Sequence, residues 1–482
     1  MLDILGGWDR NCGGVSRRKM LRIGGSGLFG LSLAQTLAAE QQLRAATGSA
    51  PKARAKNVIF LLLFGGPSQL ETFDMKPDAP GDIRGPFKPI ACRTPGLQIC
   101  EHLPRLAEVS DKFCVVRNMS HSFNDHSGGG HYLQTGKMWH VPIGAGFNRT
   151  DKDWPSIGSA FDYVERRSGR PAEVPNYMYL PAPLGNLQTY SSKLERPGAY
   201  GGWLGRAYDP LATAIRKRHD TDNPFFRDCT DDELDFRIHG LDPDAELTLD
   251  RLDGRRSLLQ QFDQARAAID DSPAVAGFDE FRRHALQLVT DGRTRDALDV
   301  RRESASMRDR YGRHLFGQST LVARRLVEAG VRYVTVGWDC PDGYSWDSHR
   351  NSNDVKAHLL PGLDQALSAL LVDLDERGLL DETLVVCTGE MGRTPKPNAT
   401  WGRQHWSTLF SSVLAGGGVR GGLLHGSSDK SAAFATDGPS TPEDLAATIL
   451  TAMGIDPEFR LRDPQNRPVS IVENGRALPI FG

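Results

Sequence analysis

Residues 57–64 read NVIFLLLF, apolar after the first position, and the run stops at Gly65-Gly66. A strand with one wet face alternates apolar and polar residues. This one does not, so it reads as a strand buried on both faces, as in parallel sheets. Further strand candidates lie at 113–117, 331–337, 383–388 and 411–415. Helical patterns separate the last three. One spans 318–329. Another carries Leu359, Leu363, Leu367, Leu370 and Leu374 and stops at Gly378, a residue suited to a helix C-terminus. Strand and helix in alternation predict an α/β chain with a mostly parallel central sheet and helices on both faces. Residues from about 207 to 310 differ. They are rich in Asp and Arg and carry a stripe of Leu259, Phe262, Ala265 and Ile269, which predicts a helical insertion able to cap a cleft.

Ahead of this stands Ser16-Arg17-Arg18-Lys19-Met20-Leu21, then a weakly apolar stretch at 23–37 holding four glycines, then Ala38-Ala39. Basic, apolar and small residues in that order predict a signal peptide over 1–39, and the paired arginines point to twin-arginine export. Residues 40–56 serve as a linker and 57–482 form the folded domain. Without residues 1–39 the chain keeps 53 basic against 58 acidic residues. No basic patch stands out, which argues against a nucleic-acid partner. No later segment reaches the roughly 18 apolar residues of a membrane helix, so no transmembrane segment is expected. The seven cysteines show no C-x-x-C pair, which points away from a zinc knuckle or a disulfide framework. Cys92 and Cys100, flanking a Pro-Gly turn, read as free thiols or as one bridge.

In open parallel sheets, functional residues gather beyond the carboxyl ends of the strands. Four clusters occupy such places. The first is 65–74, with Glu71 and Asp74, which reads as a metal or anion site or as an ordinary turn. The second is 121–136, with His121, Asp125, His126, Ser127, three glycines and His131. Imidazoles serve as ligands or bases, although a plain loop explains each one singly. The third follows strand 331–337 and holds Asp339, Asp342, Asp347 and His349. A carboxylate and an imidazole two residues apart can converge on one ion, or simply belong to a polar turn. The fourth holds Glu390 and Arg393 after strand 383–388, then Arg403 and His405, and reads as a site or, for Glu390 beside Arg393, as a plain ion pair.

These runs resemble a family of twin-arginine-exported proteins known as domain of unknown function 1501. The resemblance rests on GGPSQLETFDMKP, NDHSGGGHYLQTG, GQSTLVARRLVEAGVRYVTV, WDSH, GEMGRTP and GRQHW…LAGGG. More loosely, the chain is similar to the alkaline phosphatase–sulfatase superfamily, through Glu390 at a strand end, His405, and the tail 444–455. That resemblance implies an alkaline phosphatase-like fold and a two-metal site. Glu390 would match an acidic ligand and His405 the late histidine ligand, while Asp347 and His349 would match the pair from the preceding segment. Glu71 or Asp74 would have to reach back, since Gly-Gly stands where the superfamily places an acid. Met391 stands in place of a histidine. The nucleophile position falls on His126 with Ser127 beside it. No C-x-P-S-R-like run is present, which argues against a formylglycine sulfatase.

The expected function is metal-dependent hydrolysis of a phosphate or sulfate ester outside the cytoplasm, periplasmic or extracellular. Ser127 or His126 would be nucleophile or general base. Arg393 or Arg403 would hold the anion bidentately, and the ion would be zinc or manganese. The substrate would be a small anionic ester or a sulfated or phosphorylated polymer, and the export machinery would be a partner. Two rivals stand beside this: a degenerate domain binding a ligand or partner, and a structural component of an extracytoplasmic assembly.

Overall fold

A computed structural model describes residues 51–168, 174–188, 194–238, 292–339 and 345–482. Nine of its strands form the central sheet: β1 (Asn57–Leu62), β2 (Phe113–Met119), β3 (Tyr177–Leu180), β4 (Leu211–Ala214), β5 (Arg237–Ile238), β6 (Tyr333–Gly337), β7 (Thr383–Thr388), β8 (Phe410–Ala415) and β9 (Leu424–His425). Their order in space is β9-β2-β8-β7-β1-β6-β3-β4-β5. Only β8 and β5 run against the rest. The mostly parallel α/β architecture expected from the sequence is the one observed.

β1 sits between β7 and β6, and all six of its residues are buried. Val58, Phe60 and Leu62 face one core, and Ile59 and Leu61 face the other. Two covered faces explain the absence of polar alternation. On the Ile59 side pack α3 (Leu315–Glu328) and α4 (Leu360–Glu376). On the Phe60 side pack α1 (His126–Thr135), α2 (Ile157–Arg167) and α5 (Pro442–Ala452). Local chemistry sets several ends. The His314 side chain caps α3, so that helix begins three residues before the expected 318. Thr441 and Asp444 cap α5 reciprocally. Gly378, at φ 68°, ends α4 where the sequence placed its stop.

The described parts of 207–310 include edge strands β4 and β5, and short helices at Gly292–Leu298 and Ala305–Tyr311. Residues 239–291, with the stripe at 259–269, lie outside the described residues, as do 1–50. β4 and β5 are four and two residues long, too short for a period-2 signal to register. Cys92 and Cys100 are both free thiols, so the bridge weighed for them does not form.

What this topology does for the site is simple. β1, β2, β6 and β7 are parallel, so their carboxyl ends share one edge. The loops leaving them carry the four clusters.

Candidate metal centre

Four side chains converge beyond that edge: His126, Asp347, His349 and His405, with one ligand atom from each lying within 4.8 Å of all the others. Asp347 Oδ1 is the hub. It lies 3.1 Å from His126 Nε2, 2.8 Å from His349 Nε2 and 3.3 Å from His405 Nε2. Each imidazole turns its other nitrogen outward onto an oxygen. His126 Nδ1 is 2.5 Å from Glu390 Oε1, His349 Nδ1 is 2.7 Å from Gln404 Oε1, and His405 Nδ1 is 3.3 Å from the Asn124 carbonyl. Acceptors on that side favour a proton at Nδ1, and the Nε2 atoms face inward. Metal-binding histidines are oriented in this way.

The interior fits a cation by its chemistry. His349 Nε2 and His405 Nε2 stand 2.9 Å apart, a contact that either one shared proton or a cation can satisfy, and Arg393 Nη1 lies 3.4 Å from His349 Nε2. His126 Nε2 is buried and makes no well-formed hydrogen bond. Three imidazoles and a carboxylate oxygen are the ligand types of zinc and related ions. The protein's own charges stress the cluster. Burial lowers the His126 pKa, but Asp347 and Glu390 outweigh it and push it up to about 9. Burial raises Asp347, and the imidazoles of His126, His349 and His405 set against it outweigh that too, holding its carboxyl well below the usual range.

Two chain features bring these groups so close. Asp125 caps α1, its Oδ1 accepting from the Gly128 amide at 2.8 Å, which places His126 in the first turn. The second is Gly65, at φ 118°. A Cβ there would stand 2.5 Å from the Asp347 amide nitrogen, so only glycine lets β1 end against the 346–347 segment. Gly65→Ala should cost about 1–3 kcal/mol of stability. Chemical denaturation reads that cost, and calorimetric titration should show weaker metal binding because Asp347 is displaced.

Glu390, expected as a ligand, stands one layer behind. It is fully buried, and its two oxygens accept from the Gly65 amide at 2.9 and 3.1 Å while Oε1 also meets His126. Glu71 and Asp74 do not join the group. Glu71 pairs with Arg403 at 2.8 Å, and Asp74 meets Lys76 at 2.9 Å and Ser428. The arginines are spent internally. Arg403 also donates to the carbonyls of Ile83, Thr394 and Pro395. Arg393 donates to the carbonyls of Gly65, Gly66 and Arg403 and, at 2.5 Å, to Asp347 Oδ1. Ser127 is buried, its hydroxyl donating to the Phe147 carbonyl at 3.1 Å and accepting from Arg196 at 3.1 Å.

Of the other histidines in 121–131, His121 bonds the Glu390 carbonyl at 2.6 Å. His131 is buried against the Lys137 carbonyl, and burial depresses its pKa to about 3. Both are structural. The cluster opens into a cleft of about 780 Å³ lined also by Phe64, Asp339 and Arg196. Asp339 accepts from the Gly185 amide and Gln188 Nε2, each at 2.6 Å. Arg196 escaped the sequence reading, since a lone arginine before a proline carries no pattern.

Several solved structures share a loose likeness. The crystal structure of Ps i-CgsB in complex with k-i-k-neocarrahexaose is 10% identical, with a TM-score of 0.41, and the match covers 84% of this chain and 72% of that one. PsFucS1 sulfatase from Pseudoalteromonas sp. is 12% identical at 0.37, covering 88% and 72%. Phosphonate monoester hydrolase SpPMH from Silicibacter pomeroyi is 14% identical at 0.36, covering 89% and 76%. Likenesses this distant say nothing of this chain's chemistry. No curated protein matches it significantly. The family described as "Protein of unknown function (DUF1501)" matches residues 55–480, nearly the whole described chain, and the protein belongs to that family.

Proposed function

We propose that the protein is an exported, metal-dependent hydrolase of phosphate or sulfate esters, with His126, Asp347, His349 and His405 holding a zinc or manganese ion. The observation that carries the reading is the orientation of three imidazoles, each tied at Nδ1, onto one carboxylate oxygen. An ion held there supplies Lewis acidity toward a phosphoryl or sulfuryl oxygen. Glu390 keeps the His126 proton at Nδ1, and Arg393 steadies Asp347. The cleft gives an anionic ester, small or part of a polymer, room beside the cluster. The paired Arg17-Arg18 support export to the periplasm or beyond. Among the described residues no helix is long and apolar enough to cross a membrane.

The bonding of Ser127 favours a holding role over attack. Its proton goes to a carbonyl, and among the described residues no base is bonded to its oxygen, whereas a serine nucleophile needs one. Ser127→Ala should keep turnover of an aryl ester within about tenfold, the cost of one modest hydrogen bond. A fall of several orders of magnitude with metal content unchanged would make Ser127 the nucleophile instead.

A second reading, a non-catalytic domain that binds an anionic ligand or partner, draws on Arg393. Its guanidinium sits on the same Asp347 oxygen that would face an ion, so it can neutralise that carboxylate alone. Metal analysis of the purified protein, with assays on aryl phosphate, phosphodiester and sulfate substrates, separates the two. Bound metal with hydrolysis abolished by a chelator and restored by zinc or manganese supports the enzyme. Metal-free protein, or loaded protein inert toward all three substrates, supports the binding domain.

A further inference from the structure

Five arginines among the described residues are buried: Arg196, Arg308, Arg324, Arg393 and Arg403. Four of them have a carboxylate partner. Arg308 pairs with Asp231, Arg324 with Glu303 and Asp373, Arg393 with Asp347, and Arg403 with Glu71. Arg196 is the exception. At 8% exposure it has no ion pair among the described residues. Its described side-chain bonds go to neutral acceptors, Ser127 Oγ at 3.1 Å and Gln188 Oε1 at 3.4 Å, while its Nε is buried with no partner among the described residues. Asp339 is the nearby acid and its charge interacts with Arg196, but no hydrogen bond is described between them: its two oxygens accept from the Gly185 amide and Gln188. A buried guanidinium with no carboxylate bonded to it and an N–H left over is costly, and an anion in the cleft would satisfy it.

The position of Arg196 says which anion. It lines the same cleft as His126, Asp347, His349 and His405. The Phe64 ring lies 5.0 Å from its guanidinium carbon, a cation–π contact that limits its swing. Through Ser127 it also touches the first turn of α1, where the Asp125 side chain already takes the Gly128 amide and only the amides ahead of it have no acceptor within the helix. A guanidinium and a helix N-terminus on one wall of the cleft, facing a cation-binding cluster, make a pocket for a compact oxyanion.

We infer that Arg196 is the anchor for the anionic group of the ligand, a tetrahedral phosphate or sulfate, in place of the internally bonded Arg393 and Arg403. The assignment rests on the hydrolase reading only for the ligand being an ester. The anchoring of the oxyanion itself requires no turnover.

The test is calorimetric titration of the full chain with inorganic phosphate and with sulfate, before and after loading with zinc. Wild type, Arg196→Met and Arg196→Lys are compared, with metal content and melting temperature read alongside. The wild type should bind at least one of the two anions. Arg196→Met should weaken that binding by about 10–100-fold, the loss expected for charge-assisted hydrogen bonds. Arg196→Lys should recover part of it, and metal content should stay the same. If Arg196→Met does not fold, the Lys variant carries the measurement, with a loss of at least severalfold expected because Lys lacks the planar fork. Anion affinity unchanged in the folded variants, or a wild type that binds neither anion at millimolar concentration, overturns the anchor. The two readings fail separately. Arg196-dependent phosphate binding without ester hydrolysis leaves the anchor standing and removes the enzyme. Ester hydrolysis with an unaltered KM in Arg196→Met does the reverse.

Discussion

Replacing His405 or His126 by alanine should strip the protein of bound divalent metal and remove ester hydrolysis with it, in one step. Each supplies an inward Nε2 to the group around Asp347 Oδ1. Removing a ligand leaves an incomplete coordination shell, so the loss should exceed the roughly 10–100-fold cost of altering an outer-shell partner. Glu390→Gln supplies that smaller comparison. The amide oxygen can still accept from His126 Nδ1, but the charge that makes the imidazole a stronger ligand is gone. Metal affinity should fall by about 10–100-fold while the fold persists. Elemental analysis after dialysis and a competition titration against a zinc chelator read both effects. His405→Ala protein that retains a full equivalent of metal would show that the cluster is not the metal site.

The other large effect concerns export. Changing Arg17 and Arg18 together to Lys should leave the protein in the cytoplasm, folded and uncleaved, when cell fractions are probed. The receptor of the twin-arginine route reads two planar guanidinium groups, and ammonium groups cannot reproduce that geometry. Export of the double variant at the normal level would rule the route out. This outcome is independent of the metal centre, since residues 1–39 precede the folded domain.

The sequence was most legible where burial is complete or the pattern is long. β1 was readable because both of its faces are covered, leaving no room for polar residues. α4 was readable because Leu359, just ahead of it, and four leucines within it mark one helical stripe, and Gly378 ends it. β3, β4, β5 and β9 went unread, being four residues or fewer. Of the candidate site, Asp347, His349 and His405 were identified as neighbours because each follows a strand, and parallel strands deliver their ends to one edge. The assignment of partners was less legible. Glu390 and His126 were both named, but nothing in the sequence says that one stands behind the other. Arg393 and Arg403 looked free for an anion, and carbonyl oxygens and carboxylates already take their donors.

The division has a physical cause. Residue types and strand order determined the α/β architecture and the edge where the chemistry gathers. Both follow from burial and periodicity, which are written locally along the chain. Tertiary structure alone decided which acid meets which base. Glu71 and Arg403 are 332 positions apart, Glu390 and His126 are 264 apart, and His349 and His405 are 56 apart. Charge pairing operates over a few ångströms and depends on how loops from different strands pack. Whether an arginine is paired with a carboxylate inside the fold, as Arg403 is, or lines a cleft with no described carboxylate bonded to it, as Arg196 does, emerges only when those loops close together.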